Sequence, residues 1–177
     1  MACVLTSGRT EPCKDARGGV AKVILMDYAA TNFTVSGGQA TAIDAGITEV
    51  FEYITRTNVD LFTESMPSDK NTGTSINTQT LDVRLKKQTY QSAAELLLVV
   101  HARPIIVVVG HDGLYKAMGI TEGCDVTALT AESGANKSDF NGYNVTFTAE
   151  EFALAPHLDA STVTALEALV SATNVTP

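Results

Sequence analysis

The segment INTQTLDVRLKK, residues 76–87, decides the fold class of this chain. In its second half Leu81, Val83 and Leu85 alternate with charged residues, a period of two that is typical of a β-strand with one buried face. Its first half is polar on both faces and out of phase with the second half. A strand without an apolar face has to be solvated or paired with another subunit. We therefore predict a mainly β (α+β) protein with a long hairpin, about residues 55–80, that projects beyond the core.

Further segments carry strand signals of the same kind, either alternation or a short apolar run next to turn residues. They are VAKVILMDY (20–28), NFTVS and TAIDA around Gly37-Gly38, TEVFEYITRT (48–57), NVDLFTES (58–65), PIIVVV (104–109), LYKAM (114–118), CDVTALTAE (124–132) and YNVTFTAEE (143–151). Asp112-Gly113 is a type I′ hairpin signal. Many strands with few helices predict a β-sandwich or a partly closed barrel.

One helix is predicted to pack on these strands. Thr89 has the character of an N-cap, and Pro104 ends the helical pattern. Between them an apolar stripe at helical spacing predicts the packing face. Its members are Tyr90, Ala93, Ala94, Leu97, Leu98 and His101.

A second helix is predicted near the C-terminus. Asp159 is its candidate cap, and Val163, Leu166 and Val170 form one stripe. The segment is rich in Ala and Thr and only weakly amphipathic, so we predict a peripheral helix. The chain is accordingly divided into a β domain with an N-terminal arm, residues 1–152, and a C-terminal helical extension, residues 153–177.

Composition restricts the function classes. Charged residues make up 18% of the chain, below the roughly 25% that is usual for soluble domains. Threonine, with 23 copies, takes much of their place. Such a surface suits coverage by neighbouring subunits, because charge is depleted at interface cores. The net charge of −8 argues against a basic nucleic-acid groove, and no apolar run is long enough to cross a membrane.

Sequence motifs for chemistry are absent. TEPCKDARGGVAKVI, residues 10–24, has glycines before a strand but lacks the GxxxxGK[ST] pattern of a phosphate loop. Cys3, Cys13 and Cys124 form no CxxC pair, so we predict no zinc site and reduced thiols. Cys13 as a nucleophile would need a base, and no histidine stands in a recognisable catalytic context. We expect no catalytic residue, cofactor or metal.

The order of elements resembles a known family. LTSGRTEPCKDARGGVAKVIL (5–25) leads into FTVSGGQATAID (33–44) and EVFEYITRTNVDLFTES (49–65), followed by a polar tip and the 76–87 strand. A helix, the PIIVVVGHDGLYKAMG hairpin (104–119) and the closing GYNVTFTAEE (142–151) complete the pattern. The chain resembles the tail-tube-like structural proteins of tailed bacteriophages, most of all the tail ring protein of crAss-like phages. The likeness covers roughly residues 2–150.

The resemblance implies a non-enzymatic virion protein that is assembled in the bacterial host cytoplasm. Its copies would form a closed ring in the tail or neck around the DNA channel and stack on other portal and tail ring proteins. Viral DNA would pass without specific binding during ejection. On this reading "TEPCKDARGGV" is an extended arm laid on its own core or on a neighbour. The residues expected at subunit contacts are Arg9, Cys13, Lys14, Asn58, Leu61, Phe62, Met66, Ile76 and Thr78.

Three alternatives remain open at the level of sequence. The first is another β-rich phage component, such as a tail tube, stopper or completion protein, or head decoration protein. The second is a non-phage β-sandwich that binds a ligand through its loops. The third is a small enzyme that uses Cys13 or a His/Asp pair.

Overall fold

The computed structural model describes residues 7–11, 13–14, 16–56 and 59–171. In chain order the elements are β1 (Val20–Met26), β2 (Phe33–Ser36), β3 (Gln39–Ile43), β4 (Phe51–Ile54), β5 (Leu61–Ser65), β6 (Ser68–Asp69), β7 (Thr74–Ser75), β8 (Asn77–Lys86), α1 (Tyr90–His101), β9 (Ile105–Gly110), β10 (Tyr115–Met118), β11 (Asp125–Glu132), β12 (Gly142–Glu151), β13 (His157–Leu158) and α2 (Ala160–Ala168). The predicted strands are confirmed; β13 and the short β6–β7 pair were not predicted.

Two sheets form the body of the protein. The seven-stranded sheet has the order β2-β3-β13-β10-β9-β1-β4, and the four-stranded sheet has the order β11-β12-β8-β5. Only the β13–β3 pair of the larger sheet is parallel. Neither sheet closes on itself, so the sandwich prediction is correct and the partly closed barrel is wrong.

Apolar side chains from both sheets build a shared core. From the seven-stranded sheet come residues such as Val23 and Ile106, and from the four-stranded sheet come Leu81, Val145 and Phe147. Successive side chains of each strand point alternately to the core and away from it. One face of the four-stranded sheet is therefore buried and the other is open to solvent. The opposite face of the seven-stranded sheet carries a second apolar cluster.

The β8 strand corrects the prediction about its first half. Asn77 and Gln79 are fully buried and in phase with Leu81 and Val83, so the strand has one continuous inner face. The Asn77 Nδ2 donates to Glu64 Oε1 at 3.0 Å, and the Gln79 Oε1 accepts from the backbone of the β10 turn. The inner face is therefore polar where its groups find buried partners.

The hairpin of β5 and β8 is consequently shorter than predicted. Both strands belong to the four-stranded sheet through a continuous antiparallel ladder from Leu61–Asp82 to Ser65–Thr78. Only the tip, residues 66–76, extends past this ladder, and every residue in it is exposed.

Helix α1 has the predicted bounds, but the face that packs on the core is not the predicted one. Thr89 caps it as predicted, accepting from the Ser92 backbone N–H at 3.1 Å. Leu96 is buried and Val99 packs beside it in the shared core. The predicted stripe instead faces outward, with Leu98 64% exposed.

Helix α2 was predicted to be peripheral, but it packs on the core. Its N-cap Asp159 is confirmed, and Leu166 is 0% exposed in the second apolar cluster. Lys22 on β1 donates to Glu167 Oε1 at 2.8 Å, and Tyr115 on β10 donates to the same oxygen at 2.7 Å. The helix therefore forms a third layer over the seven-stranded sheet.

The predicted C-terminal extension also contributes to that sheet itself. The β13 strand lies between β10 and β3, with His157 paired to Lys116 on one side and to Gln39 on the other. The described part of residues 153–177 thus completes the seven-stranded sheet and covers one of its faces.

Candidate assembly surfaces

The residues predicted at subunit contacts fall into three places. Arg9, Cys13 and Lys14 are exposed in the described part of the N-terminal arm. Met66 and Ile76 are exposed at the base of the hairpin tip. The third place is the four-stranded sheet, with Leu61 exposed on its outer face, Thr78 half-buried and Phe62 packed against the core. Asn58 lies outside the described residues.

The outer face of the four-stranded sheet is lined by hydroxyl groups. Thr63, Thr80 and Thr148 form one row across three strands. Thr127 extends this row, with its Oγ1 3.2 Å from the Thr148 Oγ1. The face is therefore hydrated and mostly uncharged at its centre.

Charges lie around this threonine face. Asp82, Asp125, Glu132 and Glu150 are exposed on the strands that form it. The Thr146 hydroxyl donates to Asp82 Oδ1 at 2.6 Å. The basic residues Arg84 and Lys86 are confined to the end of β8, where the Arg84 Nε donates to Asn144. Carboxylates thus outnumber cations on this face.

The four-stranded sheet ends in two edge strands, β5 and β11. Among the residues that the structure describes, no strand pairs with the outer side of β5 or of β11. The sheet is antiparallel throughout, so its first and fourth strands run in opposite directions. Free strand edges of this kind are templates for pairing with another chain.

Helix α1 lies along β11 on the core side of the sheet. Its start is near the end of β11, where the Gln88 Nε2 donates to the Glu132 carbonyl at 2.8 Å. Its end is near the start of β11, where the Cys124 N–H donates to the Pro104 carbonyl at 2.8 Å. The outer face of the helix, which we call the α1 stripe, consists of Tyr90, Ala94, Leu97, Leu98 and His101, all exposed.

The seven-stranded sheet has an uncovered strip on the side of the four-stranded sheet. Lys116 marks this side, because its Nζ lies 5.7 Å from the centre of the Phe62 ring. Beyond β10, strands β13, β3 and β2 continue the sheet past β5. Their register places five exposed residues on this side: Thr34, Ser36, Gln39, Ala42 and His157. We call this surface the β2–β3 strip.

Buried polar groups hold the segment after β12 in place. The Asn77 Nδ2 donates to the Ala153 carbonyl at 2.9 Å, and Glu64 Oε1 accepts from the Ala155 N–H at 2.7 Å. These bonds position two exposed apolar side chains, Phe152 and Leu154, close to the hairpin base. Sequence patterns did not single out this segment, because single apolar residues in a loop have no period.

Two features bear on possible chemistry: a buried thiol and the crevice beneath α1. Burial raises the pKa of the Cys124 thiol, with the Glu151 charge adding to the effect, so this cysteine stays protonated. The crevice beneath α1 is lined by apolar side chains and Tyr53. Within the described ranges, no group of three His, Cys, Asp or Glu residues could hold a metal ion.

In the part of the chain that the structure describes, neither helix is long and apolar enough to span a bilayer. The chain matches no protein-family model, no curated protein and no solved structure.

Proposed function

We propose that this chain is a structural subunit of a phage tail or neck, whose copies close into a ring around the DNA channel. The observation that carries the proposal is the four-stranded sheet, which has a hydroxyl-lined outer face and, within the described residues, two unpaired edges. The sequence resemblance supports the same function independently of these edges.

The strand directions are compatible with a ring. In a ring all copies have the same orientation relative to the axis, so β11 of one copy meets β5 of the next as oppositely directed strands. Antiparallel pairing of these edges satisfies their backbone groups and joins the sheets into one wall.

The exposed surface of the chain suits such an assembly. The described part of the arm and the hairpin tip, residues 66–76, are exposed throughout. These segments contact little of their own subunit and are therefore available to a neighbouring copy.

The outer face would line the channel. Threonine hydroxyls keep the wall hydrated, and carboxylates such as Asp82 and Glu150 repel phosphate groups. DNA would therefore slide past without adhering. The positive charge at the Lys86 end of β8 is small compared with the net charge of −8 on the chain.

Electron microscopy of the purified chain over a concentration series tests the ring, alone and with a neck assembly from a phage that encodes it. We expect closed rings with a central channel. A chain that forms no ring in either setting and does not join the neck assembly refutes the proposal. Ring or tube symmetry also separates it from a head decoration protein or a monomeric binding module.

Two variants test the parts assigned to the arm and the wall. Deleting residues 1–17 should leave a folded protein that assembles poorly, and normal assembly would refute a role for the arm. Rings of the double variant Thr80→Lys, Thr148→Lys should retain short duplex DNA that wild-type rings release. Equal DNA release by both rings would show that this face does not line the channel.

A further inference from the structure

An amine, a carboxylate and a side-chain amide meet between the two sheets. Glu64 on β5 lies between Asn77 on β8 and Lys116 on β10. The Asn77 Nδ2 donates to Glu64 Oε1 at 3.0 Å, and the Lys116 Nζ lies 3.8 Å from Glu64 Oε2. One carboxylate therefore contacts both the amine and the amide, and these two groups come from different sheets.

The amide of Asn77 is held in place but only partly hydrogen-bonded. Asn77 is 0% exposed, and its Nδ2 donates to the Ala153 carbonyl at 2.9 Å as well as to Glu64. Its Oδ1 is buried and has no hydrogen-bond partner among the described residues. A buried acceptor without a donor is rare and calls for an explanation. This oxygen is free to accept a hydrogen bond when the amide carbon is attacked.

The surroundings keep the three groups close together and largely away from water. The Glu64 side chain is 13% exposed, and the Lys116 Nζ lies 5.7 Å from the centre of the Phe62 ring. The Gln79 Oε1 accepts from the Gly119 N–H at 3.1 Å, which ties β8 to the turn after β10. Groups held in this way react as parts of one molecule, at a high effective concentration.

We infer that Lys116 and Asn77 form an intramolecular isopeptide bond, with Glu64 as the proton carrier. Glu64 takes a proton from the Lys116 ammonium, and the neutral Nζ attacks the Asn77 Cγ. The Nζ–Cγ bond forms and the Cγ–Nδ2 bond breaks. Two of the three ammonium protons pass through Glu64 to Nδ2, which leaves as ammonium, and the third stays on the new amide. Glu64 is a carboxylate before and after the reaction, so no further reactant is needed.

The bond would tie β8 of the four-stranded sheet to β10 of the seven-stranded sheet. The inner face of β8 is polar at this end, with Asn77 and Gln79 in place of the leucine and valine that follow. A covalent link would therefore join the sheets where polar side chains replace apolar contacts. Closing the chain between residues 77 and 116 also restricts the unfolded state, as a disulfide does. The inference concerns a single copy and does not depend on the proposed ring.

Intact mass spectrometry of the purified, folded chain tests the bond. We expect a mass that is one ammonia below that of the sequence. After denaturation and digestion with trypsin, cleavage after Lys116 should be lost, and residues 71–84 should stay joined to the peptide that contains Lys116. Lys116→Arg removes the nucleophile and Glu64→Gln the proton carrier, so both variants should keep their full mass. The matched control is Lys22→Arg, because the Lys22 Nζ also pairs with a carboxylate, Glu167, at 2.8 Å; this variant should lose ammonia as the wild type does.

Succinimide formation at Asn141-Gly142 would also release ammonia. That product would persist in Lys116→Arg and leave cleavage after Lys116 intact, so peptide mapping separates it from the isopeptide bond. A folded wild type that keeps its full mass after prolonged incubation overturns the inference, as does an ammonia loss that survives Lys116→Arg. Cross-linking of Glu64→Gln would overturn the role of Glu64. Circular dichroism checks that the variants are folded, and Lys116→Arg decides the test if Glu64→Gln does not fold.

Discussion

Truncation of Leu166 to alanine tests whether α2 is part of the core. Leu166 is 0% exposed and packs among strand residues of the second cluster, such as Ile24 and Val107. Those residues are fixed by the seven-stranded sheet, so the cavity cannot collapse fully. Leu→Ala changes in such sites cost about 3–5 kcal/mol. We expect a loss of about 3 kcal/mol in the free energy of unfolding.

Urea denaturation followed by circular dichroism measures this loss. A slope of about 2 kcal/mol per molar urea converts it to a midpoint shift of about 1.5 M, and the melting temperature should fall by roughly 6–12 °C. The matched control is Leu98→Ala, the same truncation at an exposed site, which should change stability by less than about 0.5 kcal/mol.

Equal effects of the two truncations would refute the reasoning. A loss below about 1 kcal/mol for Leu166→Ala would mean that α2 lies loosely on the sheet, as the sequence suggests. A large loss for Leu98→Ala in the monomer would mean that the α1 stripe is covered within one chain. Both measurements belong at concentrations where the protein is monomeric, because association stabilises the folded state.

Three further predictions concern single groups. Burial opposes ionisation of Glu167, but hydrogen bonds from Lys22 and a tyrosine outweigh burial and lower the pKa of this carboxyl. The ionised Glu167 therefore stabilises the folded state above the unfolded pKa, near 4.5. This stabilisation is lost as the pH falls through the folded pKa. Glu167→Gln should flatten the loss of stability on acidification in urea titrations, and an unchanged profile would contradict this. Thr89→Ala should cost about 1 kcal/mol through loss of the α1 cap, with Thr89→Ser as the near-neutral control; equal losses for both would exclude capping as the cause. A maleimide should label exposed Cys13 in the native protein and Cys124 only after unfolding, and mass spectrometry showing equal labelling rates would refute the burial argument.

Local signals were sufficient for most of the secondary structure. The Thr89 cap, the Asp159 cap and the Gly37-Gly38 turn lie where the sequence predicts them. These features depend on neighbours within a few residues. Hydroxyl and carboxyl groups bond the first helical N–H groups, and glycine adopts the positive φ that the turn requires.

Which face of a helix or strand is buried was harder to predict. The α1 sequence has apolar residues on two sides, and period alone does not say which side meets the sheets. Asn77 and Gln79 were predicted to be solvated or paired with another subunit, because their partners, among them Glu64 and the Gly119 backbone, are distant in sequence. A buried amide is tolerated only where such partners exist, and no local pattern reports them.

The sequence by itself determined most of the strands, the two helices, the low charge and the polar tip of the hairpin, because each depends on composition or on a period within one segment. The tertiary structure alone decided that Leu166 is core, that the α1 stripe faces outward and that no described residue covers the β2–β3 strip. These properties are differences in coverage between two sheets of unequal width. Coverage depends on which segments meet in space, and segments distant in the chain carry no local record of that meeting.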